Sequence, residues 1–107
     1  MHQFIDITAY QEALQAEGKA LDHMQSQAHK GRPPHPGQLQ AALSQARHRT
    51  SCLAQEINLE TGQDPQEILP WLELFDQSIH LCMELAGFTL HLGRHLGFEY
   101  LPGRSRG

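Results

Sequence analysis

No valine occurs in this 107-residue chain, and only five isoleucines and four threonines do, against fifteen leucines, twelve glutamines and ten alanines. Strands draw on branched side chains that pack a pleated surface, whereas Leu, Gln and Ala lose little side-chain freedom in a helix. A chain so short of strand formers is predicted to be all-α: an antiparallel helical bundle forming one domain over residues 1–107. That length supports about one hydrophobic core.

Two breaks cut the chain into three segments. Residues Lys30 to Gly37 hold three prolines and two glycines, and no helix continues through such a run. At the second break Gly62 suits the left-handed position after a helix, Asp64 an N-cap and Pro65 the first helical residue. Glu67, three residues after Asp64, completes a variant of the capping box. Helices are therefore predicted over about 7–28, 38–60 and 65–97, the third kinked or restarted at Pro70. An aromatic clasp (Phe98, Tyr100) and a loose tail at 101–107 are expected to follow.

The first two segments carry narrow apolar seams at steps of three and four residues. In segment one the seam is Ile7, Tyr10, Leu14, Leu21, Met24 and Ala28, interrupted by Glu17. In segment two it is Leu39, Leu43, Ala46, Thr50, Leu53 and Ile57. Such seams suit antiparallel helix pairs. Antiparallel packing puts Glu17 near the Thr50 layer with Arg47 one turn away, so a Glu17–Arg47 pair that fixes register is expected.

Segment three is different, because its apolar residues cover about 220° of the helix at 100° per residue. Two narrow-seamed neighbours are a poor match for so broad a face, and large exposed apolar patches are uncommon on soluble monomers. Trp71, Phe75, Ile79, Cys82, Leu85, Phe88 and Leu92 are the expected partner-binding residues. A homodimer completing the bundle is the simplest cover, and another protein is the second. The expected function is a small protein-interaction module of the adaptor, chaperone, antitoxin or inhibitor-like kind, from a microbe or mobile element.

Charge narrows the partners. Twelve acids against eight Lys and Arg give a net charge of -4, which argues against nucleic acid, whose binders rest on a positive field. No acid lies between Asp22 and Glu56, while six acids and one Arg fall from Asp64 to Glu99. That asymmetry can steer association with an acidic partner or a second copy. The opening residues MHQFIDITAY lack a positive n-region and an apolar h-region, and no apolar run is long enough to span a bilayer. A cytoplasmic protein with reduced Cys52 and Cys82 is the expectation.

Two constellations are chemically suggestive. His80, Glu84, His91 and His95 fall within about 60° of one helical face, and the i,i+4 spacing of His91 and His95 lets two imidazoles reach one divalent transition metal. A metal- or cofactor-binding bundle is therefore the alternative function, although Glu73, Asp76, Gln77 and Arg94 on the same face also make it an ordinary solvated surface. His48, Cys52 and Glu56 follow at i, i+4, i+8. Their order keeps Glu56 from orienting His48, and a mid-helix thiol has no free backbone N–H to stabilise an oxyanion. No catalytic residue is assigned. P-loop, Rossmann, HExxH, zinc-ribbon and EF-hand patterns are absent from the sequence.

Overall fold

The computed structural model describes residues 7–59 and 64–97. They form three helices, α1 (Ile7–His29), α2 (Pro36–Leu59) and α3 (Pro65–Leu96), with no strand among the described residues. At about 1.5 Å rise per residue, the 32 residues of α3 alone account for the 48 Å long axis of the molecule. The protein is an all-α bundle in which α3 packs along α1 and, more extensively, along α2. The expected clasp and tail, and Gly62, lie outside the described residues.

Each boundary has a local cause. α1 ends in a Schellman motif: Gly31 takes φ 84°, Arg32 N–H donates to Gln27 O at 2.8 Å and Gly31 N–H to Ala28 O at 3.0 Å. A left-handed residue is cheapest as glycine, and the two bonds satisfy carbonyls that the helix end leaves over. α2 begins two residues before the expected Gln38. His35 serves as its cap, because the Nδ1 of His35 accepts from Gly37 N–H at 3.0 Å and its carbonyl accepts from Leu39 N–H at 3.1 Å. Pro36 then occupies the first helical position, where a missing N–H costs nothing.

At α3 the expected signals hold: Oδ1 of Asp64 accepts from Gln66 N–H at 3.0 Å with Pro65 behind it. Pro70 does not end the helix, which runs unbroken to Leu96. Proline removes one hydrogen bond there, and the rest of a 32-residue helix holds the line.

The core is built from the predicted seams. α1 supplies Tyr10, Leu14, Leu21 and Met24, and α2 supplies Leu39, Leu43, Ala46 and Leu53. α3 adds Trp71, Leu74, Leu81, Leu85, Phe88 and Leu92 at steps of three and four, with the buried Ser78 filling the position between Leu74 and Leu81. The Tyr10 and Trp71 rings meet edge-on with centroids 5.7 Å apart, which ties the starts of α1 and α3 together. Ser78 and Thr50 bridge α2 and α3, their hydroxyls 2.6 Å apart, and Ser78 is fully buried.

Glu17 does find a cation, but the cation is Arg49. Arg49 Nη2 and Nε donate to Glu17 Oε2 at 2.8 and 3.0 Å, while Arg47 is exposed. Two residues on a helix differ by about 200°, so the face of α2 that meets α1 is the face of Arg49. Thr50, expected to lie beside Glu17, turns toward Ser78 and Cys82 on α3 instead.

Candidate functional site

α3 carries two apolar stripes. The inner one, Trp71 through Leu92, is consumed by the chain's own core. The outer one starts one residue later, with Leu72, Phe75, Ile79, Met83, Ala86 and Leu90 at steps of three or four. These six residues fall within about 80° of arc, and from Leu72 to Leu90 the stripe is about 27 Å long. Leu72 is 42% exposed, Met83 64% and Leu90 49%, whereas Phe75, Ile79 and Ala86 are half-buried along its floor.

Burial divides the expected partner-binding set. Trp71, Leu85, Phe88 and Leu92 are buried in the bundle's own core. Of the set, Phe75, Ile79 and Cys82 remain half-buried at the edge of the core. The broad apolar arc is real, but it divides into a covered half and an open half. Leu72, Met83 and Leu90, absent from the expected set, are the most exposed of the open half; their 72–83–90 spacing was the available signal.

The histidine face also divides. His80 and Glu84 line a groove between α1 and α3 together with Leu14, Gln15, Gly18 and Gln77. There the Nδ1 of His80 lies 2.9 Å from Asp76 O and 3.6 Å from its carboxylate. His91 and His95 lie at the other end of the helix, their rings 4.5 Å apart, on a cavity of 560 Å³ whose walls include Ala28, Phe88 and Leu92. The third imidazole on that cavity is His29, from the last turn of α1. Only the parallel register of α1 and α3 brings it there, and no spacing within one segment signals it. Among the described residues, no three His, Cys, Asp or Glu side chains converge to hold a metal ion.

A polar cluster occupies the junction of α1 and α2. Cys52 Sγ lies 3.6 Å from His48 Nε2 on the surface side. Glu56, on the same helical face by spacing, is only 6% exposed. Tyr10 is pushed above its ordinary value of 10.0, first by burial and then by the neighbouring Cys52 sulfur and Glu56 carboxylate, with Arg49 opposing. The two cysteines are free. Cys52 and His48 do come together, but Glu56 is turned into the bundle and does not extend them into a triad.

No protein-family model matches the chain, and neither a curated protein nor a solved structure is similar to it. Among the described residues, no helix is long and apolar enough to cross a membrane.

Proposed function

We propose that this chain is a small protein-binding helical module that docks a partner along the outer stripe of α3. The observation that carries the reading is the alignment of Leu72, Met83 and Leu90, at 42%, 64% and 49% exposure, on one face of one helix. Scattered apolar residues on a surface need no explanation, but a continuous line of them marks a contact face. A helix presenting anchors at steps of three and four to a facing groove or helix is a recurrent recognition mode. Adaptor, chaperone, antitoxin and inhibitor-like roles all use this same physics.

Native mass measurement of the chain recovered from its source cell, beside a Met83→Glu variant, tests the reading. The wild-type chain is expected in a species heavier than its own 12.1 kDa, and the variant is expected at the mass of the free chain with its helicity intact. Recovery of the wild type only as a free chain would overturn the proposal.

A further inference from the structure

We infer that the occupant of the outer stripe is a second copy of this chain, its α3 laid antiparallel about a two-fold axis at the level of Leu85; this rests on reading that stripe as a docking face. Two observations converge on self-pairing, and a third sets its strength.

Charge is the first. Asp76 and Arg94, both exposed, are eighteen residues apart, which is about five full turns. They therefore sit at the same angular position beside the stripe. One edge of the stripe thus carries an acid toward the start of α3 and an arginine toward its end. An antiparallel two-fold pair sets each edge against the same edge of the copy, read in reverse. About an axis at the level of Leu85, midway between the two, Asp76 comes to Arg94 of the copy. Parallel pairing would set this edge against the opposite one, next to α2, and the match is lost.

Side-chain size is the second. The first half of the stripe is bulky (Leu72, Phe75, Ile79), and the second half holds Ala86 and, beside it, Gly87. Gly87 lies in mid-helix, where glycine costs about 1 kcal/mol relative to Ala. A Cβ built there meets nothing within 4 Å, so no contact within the chain uses its small size. Antiparallel pairing about the level of Leu85 puts Met83 of the copy opposite Gly87.

Area is the third, and it sets the strength. A seam about 27 Å long on a helix about 10 Å wide is well below the roughly 1,200 Å² total of standard interfaces. The pair is therefore a weak one that exchanges with free chains.

Sedimentation equilibrium of the purified full-length chain over a wide concentration range is the test. The weight-average mass is expected to climb from 12.1 kDa toward twice that value. Met83→Glu and Gly87→Leu are each expected to weaken association about tenfold or more. Gly87→Leu raises helix propensity, so loss of pairing there does not reflect loss of folding; circular dichroism checks helicity in both variants. Arg94→Glu is expected to weaken pairing several-fold, and adding Asp76→Arg to restore it. A wild type that stays at 12.1 kDa at every concentration overturns self-pairing, while the broader docking proposal keeps its own test in the native complex. A mass that rises but ignores residues 83 and 87 overturns the seam. Loss of pairing at both sites without rescue by the charge swap overturns the antiparallel orientation.

Discussion

α2 meets its two neighbours by different means. Against α3 the contact is close and largely apolar, relieved by a hydroxyl pair, Thr50 with the buried Ser78. Against α1 it is polar: the Glu17–Arg49 ion pair crosses the gap, and Tyr10 sits beside Cys52 and within the field of Glu56. Apolar burial is non-directional and supplies most of the folding free energy. A half-buried ion pair adds little net stability, because desolvation offsets attraction, yet it penalises any register that separates the partners. The apolar seam thus holds the bundle together, and the polar seam selects which face of α1 meets α2.

The sharpest way to break that division is to cut the apolar seam and, for contrast, the open stripe of α3. Leu53 has no exposed surface, and Leu53→Ala is expected to destabilise by about 2–5 kcal/mol through lost transfer energy and the cavity left behind. Met83→Ala on the open stripe is expected to stay within about 0.5 kcal/mol in the dilute chain. Urea denaturation followed by circular dichroism measures both. Comparable losses at the two sites would mean that the outer stripe is as covered as the inner one.

The apolar seam was legible because periodicity reports it directly. Leu39, Leu43, Ala46 and Leu53 sit at repeating steps of three and four, and all are buried. Asp64 and Pro65 were legible for a similar reason: a cap and its helix start are neighbours in sequence. The polar seam was not. Choosing between Arg47 and Arg49 depends on the rotation of α2 about its axis, and two arginines separated by about 200° look equivalent in a linear reading. The burial of Glu56 was not legible, because its spacing from His48 and Cys52 fixes a helical face but not what that face packs against. His29 was missed because only the packing of α1 against α3 carries it to His91 and His95.

The second prediction addresses the ion pair. Arg49→Leu leaves the Glu17 carboxylate only 20% exposed and without its cation, and Oε1 of Glu17 already accepts no hydrogen bond. Removing one partner is expected to cost about 1–3 kcal/mol. Replacing both, as Glu17→Leu with Arg49→Leu, is expected to return most of that loss, because no uncompensated charge remains. A double variant as unstable as the sum of the singles would show that the two residues act independently, and the polar seam would lose its role in pairing the helices.

The smallest effect lies in the alkaline behaviour of Tyr10. Its hydroxyl is held above its ordinary value of 10.0 by burial, then by Cys52 and Glu56, so the unfolded chain gives up this proton before the folded chain does. Below pH 10 both states keep it and the stabilising contribution is complete. As pH rises past 10, deprotonation of the unfolded state pulls the equilibrium toward unfolding, and the contribution is gone once pH passes the folded value. The loss for one such group cannot exceed about 1.4 kcal/mol per pH unit. Tyr10→Phe is expected to flatten this part of the stability profile, with the difference from wild type appearing only above pH 10. Glu56→Gln removes a carboxylate that pushes the hydroxyl upward and is expected to narrow the window from its upper end. Parallel profiles for wild type and Tyr10→Phe above pH 10 would mean that the hydroxyl faces water, and with that the polar seam between α1 and α2 would be open to solvent at its Tyr10 end.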